Sequence, residues 1–183
     1  MTVSRRILPG SRGCALAMAL VSGALAFSVH AEAPTPAPKL VFAFEETVAL
    51  GDGIPVGPTP LGTRNIVPIT GGTFSGPGNG AGIKGTIVPG GWDWQLIHAD
   101  GCASIKADYM LKTDDGVVIN VVNAGTLCRP AEGQKMTPGY TTPVFEAPIG
   151  KYEWLNSSAF VGTLDPATLD GKPAVRISFY RAE

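Results

Sequence analysis

The chain has 183 residues, with 14 Lys and Arg against 15 Asp and Glu and a formal net charge of −1. That length suits one domain with a core of its own. The balance of charge, with no Lys/Arg cluster along the body of the chain, argues against a nucleic-acid partner.

The chain starts with an address. Met1 to Gly13 carries Arg5, Arg6 and Arg12 and no acid, and an apolar stretch runs from Cys14 to Val29. Val29-His30-Ala31 then supplies a small-x-small cleavage pattern. The succession predicts a signal peptide over residues 1–31, removed on export. The apolar stretch is shorter than the roughly 20 residues that span a bilayer, so no stable membrane anchor is expected after removal. Ser4-Arg5-Arg6-Ile7-Leu8 partly resembles a twin-arginine signal, and both export routes stay open. The expected location is periplasmic or secreted. Residues 32–39, with Pro34, Pro36 and Pro38 among alanines, read as an extended tether, and residues 40–183 form the folded domain.

Beyond Lys39, Gly and Pro punctuate short alternating or apolar runs, and no stretch keeps a clean helical period. Strands are predicted over Leu40–Leu50, Arg64–Phe74, Gly82–Val88 and Trp92–His98. Further strands follow over Ala103–Thr113, Val117–Thr126, Pro143–Glu146, Lys151–Leu155, Ala159–Leu164 and Ala174–Arg181. About ten strands at this spacing read as an all-β antiparallel barrel or sandwich. The connection Arg129–Thr142 exceeds ordinary hairpin length and reads as a lid.

One hairpin can be put in register. Thr113-Asp114-Asp115-Gly116-Val117 fits a three-residue loop with Gly116 in the left-handed conformation, and Asp115 reads as a turn residue. Thr113 then opposes Val117, Tyr109 opposes Val121, Ala107 opposes Asn123, and Cys102 opposes Cys128. These cysteines are the two that remain after export, and a disulfide between them is expected. The same register puts Ile105, Ala107, Tyr109, Leu111, Val117, Ile119, Val121 and Asn123 on one apolar face. Lys106, Asp108 and Lys112 take the wet face. Tyr109 and Asn123 are therefore polar guests in an apolar row, bonded to scaffold, water or ligand.

Two further stretches concentrate aromatic and polar residues. Read as a strand, Lys151-Tyr152-Glu153-Trp154-Leu155-Asn156 puts Tyr152, Trp154 and Asn156 in one row, like a wall that stacks and orients a flat ligand. Gly90-Gly91-Trp92-Asp93-Trp94-Gln95 puts the two tryptophans on one face and Asp93 and Gln95 on the other. If Trp94 is internal it is a ligand contact; if Asp93 is internal it is a candidate acid. Glu146, between apolar neighbours in Phe145-Glu146-Ala147-Pro148, is a second candidate acid or base whose pKa desolvation would raise.

Four blocks in this order, PLGTRNIVPITGGTFSGP, GTIVPGGWDWQ, KTDDGVVINVVNAG and FEAPIGKYEWLNSSAFVG, resemble the family called domain of unknown function 3237, also described as the UPF0311 proteins. The resemblance covers about Leu40 to Tyr180. It implies a single antiparallel β-barrel similar to calycin and lipocalin-like barrels, in a family most of whose members have no assigned activity. Some members in secondary metabolism are associated with ring closure or isomerisation of polyketide-like compounds. Asp93, Trp94, Asp115, Gly116, Asn123, Glu146, Trp154 and Asn156 are the positions that match its motifs. Trp92, Cys102, Cys128 and the export signal depart from it.

Several chemistries are set aside. His98, an ordinary strand-end histidine, is the one histidine after export, which leaves no evident Ser-His-Asp triad and too few ligands for zinc. The glycines of GGTFSGPGNGAG lack a phosphate-loop lysine. No cofactor or metal is expected. The expected function is an exported barrel that binds a small apolar or aromatic molecule through Trp94, Tyr109, Asn123, Trp154 and Asn156. The alternative is a cofactor-independent cyclase or isomerase using Glu146 or Asp93, with Asn123 and Asn156 as polarising donors.

Overall fold

The computed structural model describes residues 35–128 and 139–183. The predicted signal peptide and residues 129–138 of the predicted lid lie outside them. Among the described residues nine strands form one antiparallel sheet: β1 (Leu40–Leu50), β2 (Ile54–Thr59), β3 (Gly62–Gly76), β4 (Ile83–Ile97), β5 (Ala103–Thr113), β6 (Val118–Leu127), β7 (Gly139–Glu146), β8 (Phe160–Leu169) and β9 (Lys172–Ala182). A single-turn helix, α1 (Trp154–Ser157), lies between β7 and β8. Sheet order is β1-β9-β8-β7-β6-β5-β4-β3-β2, and pairing of β1 with β3 closes eight strands into a barrel. β2 is the extra strand. It follows β1 along the same edge of β3, with Gly51, Asp52 and Gly53 bending the chain between them.

The predicted hairpin register holds at every pair. Ala107 faces Asn123, Tyr109 faces Val121, and the ladder ends at Ala103 and Leu127. Gly116 has φ of +87°, and the Thr113 N–H donates to the Val117 carbonyl at 2.9 Å. One step beyond the ladder, Cys102 and Cys128 are joined by a disulfide.

The structure departs from the predicted elements at several points, and Gly139–Thr142, the end of the predicted lid, is the first half of β7. β2 escaped notice because Pro55, Gly57 and Pro58 fall within six residues; it pairs with β3 alone, and an edge strand tolerates missing N–H donors. The runs Gly82–Val88 and Trp92–His98 are one strand, β4, because register slips between Val88 and Trp92 occur opposite slips between Ile69 and Thr73 of β3. The two strands bend together there and keep their pairing on either side. Lys151–Leu155 is not a strand. It is a turn running into α1, so the row of Tyr152, Trp154 and Asn156 expected from period-two parity does not exist.

One end of the lumen is filled. Phe44, Phe74, Phe145, Phe160 and Phe179 pack there, with ring centroids as close as 4.9 Å for Phe44–Phe179 and Phe145–Phe160. Each buried phenylalanine contributes about 1.5–3 kcal/mol of transfer free energy. Tyr152 and Leu155, at and just before α1, close this end. Progress along β1 from Phe44 through Glu46 and Val48 to Leu50 leads from the filled end to an unfilled one.

Candidate functional site

The lumen beyond the aromatic cluster holds a cavity of about 80 Å³. Val48, Ile69, Ile105 and Ile177 form its deep apolar walls, while the half-buried Leu50, Leu127, Leu164 and Val175 stand nearer solvent. Four polar side chains reach it: Asp93, Gln95, Tyr109 and Asn123. The Cys102–Cys128 bridge ties β5 to β6 just beyond Leu127, at this open end.

Tyr109 and Asn123 are almost wholly buried, as the hairpin parity predicts. Tyr109 donates its hydroxyl hydrogen to Oε1 of Glu46, across the lumen on β1. Glu46 was not among the expected site residues. Its signal was present, since Phe44, Glu46, Val48 and Leu50 share one parity and Glu46 is the lone carboxylate in that apolar row. Only 1 % of Glu46 is exposed, and its Oε2 has no partner among the described residues. Burial pushes this carboxyl up to about 8, against the smaller opposing effect of the Tyr109 hydrogen bond. Burial first, then the neighbouring Glu46, also raises Tyr109 well above the ordinary phenol value. Asn123 Oδ1 is likewise buried with no partner among the described residues.

The open question at Trp92 to Gln95 resolves in favour of Asp93. Asp93 and Gln95 face the lumen. Asp93 Oδ1 accepts the Lys106 backbone N–H at 2.9 Å, and Oδ2 accepts Gln95 Nε2 at 2.8 Å. Desolvation raises its pKa, with the two hydrogen bonds opposing. Trp94 is therefore not a lumen residue. Trp92 and Trp94 face outward, where with Ile54, Ile66, Pro68 and Pro89 they line an external groove of about 670 Å³. The Arg64 guanidinium lies 4.9 Å from the Trp94 ring centroid.

The other expected members of the site are elsewhere. Glu146 is exposed on the outer face of β7, because the strand's alternation turns Phe145 inward. Glu146 itself lines a shallow outer pocket with Met110, Val118, Asn120, Ala147 and Pro148. Trp154 is half-buried at the filled end, its ring 5.9 Å from that of Phe160. Asn156 serves the scaffold: Oδ1 accepts the Ala147 N–H at 2.7 Å and Nδ2 donates to the Ala147 carbonyl at 2.9 Å. Glu146, Trp154 and Asn156 thus share no pocket with Tyr109 and Asn123. Asp115 is a turn residue with structural bonds, accepting from Thr113 Oγ1, Lys151 Nζ and the Tyr152 hydroxyl. These donors, Thr113 foremost, hold its carboxyl well below the usual range. His98, just past β4, bonds Ser104 Oγ through Nε2 at 2.7 Å.

Residues 38–182 match the model of a family described as "Protein of unknown function (DUF3237)". A UPF0311 protein of Rhodopseudomonas palustris is 34% identical over 140 residues, 70% of this chain and 89% of the relative. The crystal structure of a β-barrel-like protein from Acinetobacter baumannii AYE is similar at 32% identity and a TM-score of 0.70, covering 83% of this chain and 100% of that one. An enzyme from Penicillium herquei shares the fold at 24% identity and a TM-score of 0.62, covering 83% and 99%. That last likeness is one of fold alone.

Proposed function

The chain belongs to the DUF3237 family of unknown function, and from its lumen we propose a barrel that binds the oxygen-bearing end of a small, largely apolar molecule. The observation that carries this reading is Asn123 Oδ1, an acceptor buried beside the cavity with no donor among the described residues. A buried unpaired amide costs about 1–3 kcal/mol, which a ligand hydroxyl or N–H would recover. The walls above it are aliphatic, so the rest of the ligand is apolar or aromatic. A cavity of about 80 Å³ is well below the roughly 300–1,000 Å³ that encloses a whole drug-sized ligand. One end of the molecule enters and the remainder sits at the mouth.

Calorimetric titration with small phenols and aryl alcohols tests this. Ala107→Leu, which fills the lumen beside Asn123, should weaken binding at least tenfold, while Trp94→Ala should leave it unchanged. The reverse pattern would move the ligand to the external groove and sink the proposal.

The cyclase or isomerase alternative draws on the same cavity, and the Tyr109–Glu46 pair favours it. We further place the protein outside the cytoplasm. The basic, apolar and small-residue succession of residues 1–31 supports export, and the Cys102–Cys128 bridge is compatible with an oxidising compartment.

A further inference from the structure

We propose that the cavity moves a proton on an enolisable carbonyl compound, Asp93 taking it from carbon while Tyr109, backed by Glu46, holds the carbonyl oxygen. The inference rests on the cavity being the ligand site. Asp93 and Tyr109 are the titratable side chains among the described residues that line it, and they come from different strands and different depths. Asp93 is half-buried nearer the mouth; Tyr109 is 2 % exposed at the floor. A molecule entering end-on meets the carboxylate and the phenol along its length.

The chemical roles follow from the surroundings. The Lys106 N–H and Gln95 amide fix the Asp93 carboxylate while each oxygen keeps a second lone pair. Desolvation makes that carboxylate a stronger base. Tyr109, buried, stays protonated and remains a donor. Behind it, Glu46 is flanked by Ile177 on β9 and Phe74 on β3, with no cation among these neighbours. In the structure Tyr109 donates to Glu46. With Glu46 protonated that bond reverses when a ligand arrives, the carboxyl donating to the phenol oxygen and freeing the phenolic hydrogen for the ligand. Such a donor in a water-poor lumen stabilises an oxyanion far more than in bulk water. Glu46 acts through Tyr109 and is a positioning residue.

The step balances without a co-reactant. Asp93 accepts the proton α to the carbonyl, the C–H pair becomes the enol C=C, and the carbonyl π pair moves to oxygen, where Tyr109 holds it. Asp93, half-buried near the mouth, swaps the captured proton with solvent. Return of a proton from Asp93, to the same carbon or to the far carbon of a conjugated system, restores C=O and regenerates the carboxylate. The outcome is α-proton exchange or double-bond migration.

The test uses the chain with its disulfide intact, in deuterium oxide, with hydroxyacetone and 4-hydroxyacetophenone as probes, each an enolisable ketone that carries a hydroxyl donor. Binding is followed by calorimetry and α-hydrogen exchange by NMR. Wild type should accelerate exchange, and Asp93→Asn should lower it by about a hundredfold or more. Tyr109→Phe should lower exchange comparably without abolishing binding. The wild-type rate should fall as pH passes about 8, where Glu46 loses its proton. Glu46→Gln, whose amide N–H donates to the phenol oxygen at every pH, should lose that fall; a merely structural Glu46 would change the rate equally at every pH. Exchange that survives Asp93→Asn and Tyr109→Phe overturns the inference. Binding without exchange overturns it and leaves the binding reading standing. Absence of both counts against both.

Discussion

Glu46 and Tyr109, 63 residues apart on β1 and β5, meet inside the barrel as a carboxyl and a phenol joined by one hydrogen bond. β1 and β5 are not neighbours in the sheet, so the bond spans the lumen. It sits between the phenylalanine-filled half and the half that holds the cavity. The bond is therefore both the last layer of the core and the floor of the candidate site.

That position gives stability a pH dependence with a defined sign. Glu46 has a folded pKa of about 8 against an ordinary 4.5, so the folded state binds its proton more tightly than the unfolded chain does. Its contribution is full below the ordinary value, falls as pH rises, and levels off above the folded value. The slope between those limits is about 1.4 kcal/mol per pH unit from this group. Melting temperatures measured across that interval should fall for wild type and stay flatter for Glu46→Gln. The variant should be the more stable protein at alkaline pH. Parallel curves would mean that Glu46 is not held protonated.

Gly91 explains part of the glycine pair before the tryptophans. A β-carbon built there would stand 2.5 Å from Tyr109 Cβ and 2.8 Å from the Asp108 carbonyl oxygen. Neither neighbour can swing away, since one is backbone and the other the root of a buried side chain. Gly91→Ala should destabilise by about 1–3 kcal/mol, the usual cost of overpacking. It should also displace Tyr109 and weaken whatever binds above it. Urea unfolding together with probe titration measures both; a neutral substitution would show that β4 and β5 lie farther apart than described.

The parts of this architecture legible in the sequence are those set by local chemistry. The Asp114-Asp115-Gly116 turn fixed one register, and that register delivered the disulfide, the apolar face and the inward Tyr109 and Asn123. What failed was parity carried into segments that are not strands, as at Trp154 and Asn156, and apolar neighbours taken for burial, as at Glu146. Trp92 and Trp94 misled for a related reason. Their size invited an interior role, yet they cover an outer groove while smaller polar residues face the lumen. Glu46 was legible from alternation alone, but its partner is set by closure of the barrel, which no local pattern encodes.

The disulfide joins residues 26 apart in sequence. In the chain-entropy account a loop of this size contributes about 3 kcal/mol. Replacing both cysteines by alanine should lower the urea midpoint accordingly. Because the bridge ties β5 to β6 at the open end of the cavity, the same variant should bind probes more weakly than wild type. Thiol alkylation followed by peptide mapping should leave Cys102 and Cys128 unmodified. Alkylation at Cys102 and Cys128 would remove the bridge and, with it, its support for an oxidising compartment.

Asn156 and Glu146 separate scaffold from site most directly. Asn156 pins Ala147 by two bonds, substituting for a strand partner just where β7 ends. Ala147 is buried, so Asn156→Ala leaves both of its backbone groups short of partners, at a cost of about 1–3 kcal/mol. A loss of that size lowers the melting temperature by several degrees or more. Glu146→Gln, on the outer face of β7, should stay within about 0.5 kcal/mol of wild type. Neither change touches the lumen, so probe affinity measured below the melting transition should match wild type in both. Lost affinity in a folded Glu146→Gln protein would return that carboxylate to the site and displace the floor formed by Tyr109 and Glu46.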